Sequence, residues 1–70
     1  MEYKNVKLRK VYFEFHQVGR ARKCVAIDPI TGREITMVCA PGYSVSALKK
    51  MAARKLAYVI WKDREKRRQT

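Results

Sequence analysis

The sequence predicts an α+β fold: a three-stranded antiparallel meander with one C-terminal helix packed on one face. Two turn signals, Gly19-Arg20 and Asp-Pro-Ile-Thr-Gly at 28–32, separate three apolar-rich segments and predict two hairpins. The registers that these turns impose put the apolar residues of all three segments on one face of the sheet. An amphipathic segment follows a Pro-Gly pair and predicts the covering helix. We expect strands at about 11–18, 21–28 and 33–40 and a helix at about 45–66.

The first strand follows a basic segment. Residues 1–10, MEYKNVKLRK, are polar and basic without apolar periodicity, and we expect them to form an N-terminal arm. From residue 11 the character of the side chains alternates, with Phe13 and Phe15 on one side and Glu14 on the other. This alternation is typical of a half-buried strand.

The two turns set the register of the sheet. Glycine at the first central position of Gly19-Arg20 suits a type II′ turn. In the second turn, Asp28 can accept hydrogen bonds from backbone amides, Pro29 restricts φ, and Gly32 can adopt a left-handed conformation. The resulting facing pairs on the inner face are Phe15–Cys24, Phe13–Ala26, Cys24–Met37 and Ala26–Ile35. Two turns interpreted independently therefore agree on one apolar face.

The predicted helix begins after Ser44, which is a suitable N-cap residue. Its apolar stripe recurs at helical spacing and consists of Val45, Leu48, Ala52, Leu56 and Val59, with Met51 and Ile60 at the margins. We expect residues 11–66 to form a single β-β-β-α domain. Basic residues then extend into solvent, and we expect 67–70 to fray.

The charge of the chain points to a class of partner. Seventeen Lys and Arg residues against six Asp and Glu residues give a net charge of +11 and a pI of about 10.2. Such a surface attracts polyanions through counterion release, so DNA or RNA is the leading expected partner, followed by an anionic membrane surface or an acidic protein. The N-terminus has no apolar run of the kind found in signal peptides, and no segment is apolar enough to insert into a membrane. We expect a cytoplasmic protein.

The sequence offers no constellation typical of an enzyme. His16 lies, by strand parity, on the face opposite Cys24 and Cys39, which disfavours a Cys–His metal site or nucleophile. The two cysteines lie diagonally across neighbouring strands, with about 7–8 Å between their Cβ atoms in an ideal antiparallel pair. We therefore expect free thiols. Glu14 and Glu34 lie on opposite edge strands. We expect a non-enzymatic protein without catalytic residues, metal, cofactor or small-molecule substrate.

One candidate binding surface is the outer face of the sheet. The helix covers the other face, so apolar residues at the centre of this one face water or a partner. They are Tyr12, Val25, Ile27 and Val38. This patch suits a homodimer or another protein interface; alternatively, its β-branched residues simply suit an exposed sheet.

The second candidate surface is the side of the helix away from the sheet. Basic and aromatic residues recur there, namely Lys50, Arg54, Tyr58, Trp61, Arg64 and Arg68, and Ala57 lies between them. Such a stripe can pair with phosphates and stack on bases. Arg20 and Arg22 could extend the same positive field. The alternative is a solvated cationic face, with Trp61 folded back on a sheet edge.

Three segments resemble a known family: YFEF at 12–15, AIDPITG at 26–32 and ARKLAYV at 53–59. They are similar to an uncharacterised family of short bacterial proteins, a domain of unknown function, over most of residues 11–61. The resemblance implies a shared fold and a bacterial cytoplasmic setting. It implies no activity, and no functional residue is carried over from it.

The Asp-Pro-x-Thr-Gly turn at 28–32 and the strand–helix order also resemble a DNA-binding architecture. They are similar to the arm-binding domains of phage-type integrases and to AP2-type domains of plants, which place the open sheet face in the major groove. Here Val25 and Ile27 stand where a groove reader would carry Arg, Lys or Asn. The sequence departs from that pattern at the positions that would read bases.

Overall fold

The computed structural model describes Leu8 and residues 10–69, apart from the side chain of Gln69. The structure contains three strands and one helix: β1 (Tyr12–Val18), β2 (Ala21–Ile27), β3 (Glu34–Cys39) and α1 (Val45–Gln69). The strands form an open antiparallel sheet in the order β1-β2-β3, which confirms the predicted α+β fold. Of the expected N-terminal arm, 1–10, only Leu8 and Lys10 lie among the described residues.

Both predicted hairpin registers are confirmed. Phe15 pairs with Cys24 across β1 and β2, and Cys24 pairs with Met37 across β2 and β3. Gly19, in the first turn, has a φ of 59°, while no described non-glycine residue has a positive φ. A positive φ at the first central position alone agrees with the expected type II′ turn.

The buried residue Asp28, which is only 3% exposed, organises the loop between β2 and β3. Its carboxylate accepts hydrogen bonds from the amide of Ile30 at 3.3 Å and from the amide and hydroxyl of Thr31 at 3.3 and 2.7 Å. Its carbonyl accepts from the amide of Gly32 at 2.8 Å, and its own amide donates to the carbonyl of Arg33 at 2.9 Å. The loop therefore satisfies its buried carboxylate internally.

The helix packs against β2 and β3 along one diagonal row. Its most deeply buried residues are Leu48, Ala52, Leu56 and Ile60, each four positions after the last. An α-helix has 3.6 residues per turn, so such a row drifts by about 40° around the helix at each step. This drift corrects two predictions. Val45 is exposed instead of belonging to the core, and Ile60 belongs to the core instead of its margin.

Local interactions account for both ends of α1. The Ser44 hydroxyl accepts a hydrogen bond from the amide of Ala47 at 3.1 Å, as expected for an N-cap. The helix continues three residues beyond its predicted end at 66. Glu65 pairs with Arg68 at 3.1 Å, and the last turn is basic, which favours the negative end of the helix dipole.

One ion pair joins the sheet to the helix. The guanidinium of Arg33, the residue before β3, contacts the carboxylate of Asp63 through two nitrogens, at 2.6 and 3.2 Å. This bidentate geometry fixes the far end of the second hairpin against α1. The helix is therefore held to the sheet by an apolar row and by a polar contact beyond the end of that row.

Candidate nucleic-acid interface

The structure places six predicted residues along one side of α1, which we call the helix stripe. Its members are Lys50, Arg54, Tyr58, Trp61, Arg64 and Arg68. All four cationic members are exposed, whereas the two aromatic members are half-buried. Their spacing of three or four residues keeps them on one side of the helix, away from the most deeply buried row.

The aromatic members form a pair at the middle of the helix stripe. The ring centroids of Tyr58 and Trp61 lie 5.7 Å apart, with the planes tilted by 40°. The Lys62 ammonium lies 5.9 Å from the centroid of the Tyr58 ring. The indole Nε1 of Trp61 is buried without a hydrogen-bond partner. The pair is thus a partly covered ring surface flanked by cations.

The interior of the protein reaches further around α1 than the sequence indicates. Ala57, expected on the open side of the helix, is only 8% exposed. The diagonal drift of the buried row explains this correction, because by Ile60 the row has rotated toward Ala57. The aromatic middle of the helix stripe is therefore its least exposed part, and the cationic members before and after it are exposed.

The charge of the helix stripe is largely uncompensated. Within the described part of the chain, Lys50, Arg54 and Arg64 make no ion pair, and Arg68 pairs only with Glu65 of its own helix. Unpaired ammonium and guanidinium groups around aromatic rings can contact phosphate oxygens and stack on bases. The arrangement offers chemistry suited to binding a polyanion.

Arg20 and Arg22 occupy a different part of the molecule. Arg20 is exposed in the turn between β1 and β2, and Arg22 is half-buried in β2. Both line a cleft near the start of α1, together with Gln17 and Tyr43. The sequence did not point to Gln17 or Tyr43, because only the packing of the two connecting loops brings them beside the arginines.

The third surface is the uncovered face of the sheet, which we call the open sheet face. Tyr12 and Val38 are 48% and 65% exposed there, and Val25 and Ile27, on the central strand, are half-buried. The Lys10 ammonium lies 5.2 Å from the centroid of the Tyr12 ring. Val18, also exposed at the end of β1, was not among the predicted residues although its strand parity matches theirs. All four predicted residues share this face.

Groups for other chemistry are few in the described part of the chain. No three His, Cys, Asp or Glu residues there are placed to hold a metal ion. Cys24 and Cys39 are free and buried. Burial, and then the neighbouring Cys39, raises the pKa of the Cys24 thiol, which makes it a poor nucleophile. No helix among the described residues has the length and apolar character needed to cross a bilayer.

Comparison with known proteins gives one result. Residues 8–65 match the model of a family described as Domain of unknown function (DUF6898). The match spans the three strands and most of α1, and it confirms the expected resemblance to a family without assigned function. No curated protein and no solved structure matches the chain. The resemblance to integrase arm-binding and AP2-type domains is not confirmed.

Proposed function

The chain belongs to the DUF6898 family, and we propose that it is a non-enzymatic module that binds nucleic acid through the helix stripe. The observation that carries the proposal is the set of exposed cations without ion pairs around Tyr58 and Trp61. The net charge of +11 provides the long-range attraction. The proposed setting is a reducing bacterial cytoplasm, in agreement with two free cysteines.

The dimensions of the helix stripe suit a polynucleotide backbone. From Lys50 to Arg68 the helix rises about 27 Å at 1.5 Å per residue. Phosphates along one strand of B-form DNA are spaced about 3.4 Å along the axis, so this length spans about eight of them. Cations that contact phosphates carry no sequence information. We therefore propose sequence-independent binding, with the aromatic pair contributing base stacking where bases are unpaired.

A fluorescence titration tests the proposal, because Trp61 is the only tryptophan and lies within the helix stripe. A single-stranded oligonucleotide of about 12 nucleotides, added at about 50 mM salt, should quench or shift its emission. Arg54→Gln/Arg64→Gln should weaken binding and lower the slope of log affinity against log salt by about 1.4, which is about 0.7 for each phosphate contact of a single strand. Lys55→Gln/Lys66→Gln removes the same charge outside the helix stripe and serves as the matched control.

The control separates local contact from general attraction. Contact through the helix stripe predicts a larger loss of affinity for the Arg54/Arg64 variant than for the Lys55/Lys66 variant. Equal losses would mean that only net charge matters. Unchanged Trp61 emission and no binding of the oligonucleotide by an independent method, such as fluorescence anisotropy of a labelled strand, would reject the proposal.

A second candidate function is self-association through the open sheet face. Tyr12 and Val38 are exposed apolar residues on this face, and no described element covers them. The face also balances its charge, because Glu14 and Glu34 offset Lys23 and the nearby Lys10. On a chain with a charge of +11, such a balanced surface is where a second copy can approach with least repulsion.

Sedimentation velocity distinguishes this candidate. A homodimer should dissociate in the Ile27→Glu variant, because a carboxylate would be buried at the centre of the interface. Met51→Glu introduces the same charge at an exposed apolar position of α1 and should leave the dimer intact. A wild-type chain that sediments as a monomer at high micromolar concentration would eliminate self-association.

A further inference from the structure

A small cleft lies between the β1–β2 turn and the loop before α1. Its walls are Gln17, Arg20, Arg22, Ala40, Pro41, Gly42 and Tyr43. The cleft has a volume of about 60 Å³, enough for a few waters or one tetrahedral oxyanion. Drug-sized organic ligands need pockets of about 300 Å³ or more. The size of the cleft therefore favours a small polar group.

The charge of the cleft is positive. Within the described part of the chain, no acidic side chain lines it, and neither Arg20 nor Arg22 forms an ion pair. Arg22 is half-buried on the inner face of β2 and lines the cleft, so part of its side chain is already excluded from solvent. Two unpaired guanidiniums facing one small space create a local potential that favours an anion.

One hydrogen bond and one glycine conformation constrain the walls of the cleft. The Gln17 side-chain amide donates a hydrogen bond to the carbonyl of Gly19 at 3.0 Å, which ties β1 to the turn that carries Arg20. On the other wall, Gly42 has a φ of 110°, a conformation that other residues adopt only with strain. Tyr43 is exposed at the rim. The β1–β2 turn, β2 and the loop before α1 thus place two arginines and a tyrosine around one space.

We propose that this cleft binds a phosphate group of the nucleic acid. Guanidinium groups present paired N–H donors that match phosphate oxygens, so Arg20 and Arg22 supply the charge and the hydrogen bonds. Tyr43 at the rim can pack on the adjoining sugar or base. The inference rests on the proposed function for the source of the phosphate. It adds a discrete contact, separate from the helix stripe, that orients the strand near the start of α1.

An NMR titration of the ¹⁵N-labelled full chain tests the cleft with two probes, inorganic phosphate and the oligonucleotide of about 12 nucleotides. Both should shift the amide resonances of Gly19, Gly42 and Tyr43. Arg20→Gln/Arg22→Gln should weaken the affinity for phosphate, fitted from these shifts, about tenfold, the effect of losing charged hydrogen bonds. Arg20→Gln alone changes an exposed turn residue and provides a milder variant should Arg22→Gln impair folding.

The control variant, Lys55→Gln/Lys66→Gln, removes equal charge elsewhere and should keep the phosphate-induced shifts. Equal loss of phosphate affinity in the cleft and control variants would reject the cleft as a phosphate site. So would the absence of shifts at Gly42 and Tyr43 with both probes. If the oligonucleotide binds without moving the cleft resonances, the cleft is rejected and the proposed function stands. If inorganic phosphate moves them and the oligonucleotide binds nowhere, the cleft is a site for free phosphate and the proposed function is rejected.

Discussion

Asp28 shows how much of a loop one residue can determine. Its carboxylate is nearly inaccessible, and it accepts three hydrogen bonds from the two residues at the tip of the β2–β3 loop, Ile30 and Thr31. An aspartate at this position of a turn is a local preference that can be predicted from sequence. Its complete burial is not local, because it depends on the packing of the whole loop.

Replacing Asp28 by Ala should destabilise the protein by about 2 kcal/mol, since the amide and hydroxyl donors of the loop lose their acceptor. Asn keeps one acceptor oxygen and should lose about half as much. Urea unfolding followed by circular dichroism measures both changes. Equal stability of the Ala and wild-type chains would show that the loop hydrogen bonds contribute nothing net.

The buried thiol of Cys24 leads to a pH dependence. Its pKa in the folded chain is raised above the ordinary value of 9.0, chiefly by burial. The unfolded chain therefore loses this proton first, so ionisation favours unfolding once the pH passes 9. The stability of wild type minus that of Cys24→Ala should be constant below that pH and then fall by up to about 1.4 kcal/mol per pH unit.

The difference between the two chains is the useful quantity for Cys24, because it removes every contribution to the pH dependence that both chains share. Urea unfolding of both chains at several pH values between 7 and 10, with a reductant present, measures it. A difference that stays constant through this range would contradict a raised pKa.

At the scale of single elements, the sheet was more predictable from sequence than the orientation of the helix. Turn chemistry and strand parity act over a few residues, and the predicted pairs Phe15–Cys24 and Ala26–Ile35 are the observed ones. Which residues of α1 contact the sheet depends on the angle at which the helix crosses the twisted sheet. Helical spacing in the sequence does not predict that angle. That is why the roles expected of Val45 and Ile60 were wrong.

The candidate binding surfaces could be predicted from sequence only where helical or strand periodicity places their residues together. Helical periodicity alone places the members of the helix stripe on one side of α1, and strand parity places the apolar residues of the open sheet face together. The cleft around Arg22 required tertiary structure, because its walls come from loops about 20 residues apart in the chain. The burial of Ala57 and of the Trp61 Nε1 follows from the orientation of the helix on the sheet. Local sequence pattern could not predict either of them.

The ion pair between Arg33 and Asp63 should contribute measurably to the docking of α1. Its side chains are 49% and 32% exposed, so solvent screens much of the interaction. A double-mutant cycle with alanine should give a coupling energy of about 0.5–1 kcal/mol at low salt, raised within that range by the bidentate geometry. The coupling should fall toward zero at about 0.5 M NaCl.

The Glu65–Arg68 pair of the same helix provides the comparison, since it is one residue pair within α1 and joins no other element. Its cycle should give about 0.3 kcal/mol. If the two coupling energies are equal, the Arg33–Asp63 ion pair stabilises the contact between sheet and helix no more than a pair within one helix stabilises that helix.

At the scale of the whole molecule, positive charge opposes the compact state. Seventeen Lys and Arg residues against six Asp and Glu residues leave a net charge of +11 on 70 residues, so like charges repel one another in the folded chain. Screening by salt should therefore stabilise the protein even though it weakens individual ion pairs. Raising NaCl from about 0.05 to 0.5 M should increase the free energy of unfolding in urea by about 1 kcal/mol.

The variant Lys55→Gln/Lys66→Gln, with two fewer positive charges, should gain less from added salt. A loss of stability with salt in the wild-type chain would mean that attractive pairs outweigh repulsion overall. The experiment thus decides which sign of electrostatic interaction dominates in the folded protein.

The length of α1 has a consequence for its dynamics. At about 1.5 Å per residue its 25 residues extend about 37 Å, whereas the seven residues of β1 extend about 23 Å. No described side chain of α1 after Ile60 is buried. Backbone amides of α1 from Leu48 to Asp63, the residue that pairs with Arg33, should exchange hydrogen for deuterium only on global unfolding, and those after Asp63 by local fraying. The distal turns form a projecting basic segment whose exchange rate reports directly on any ligand that settles there.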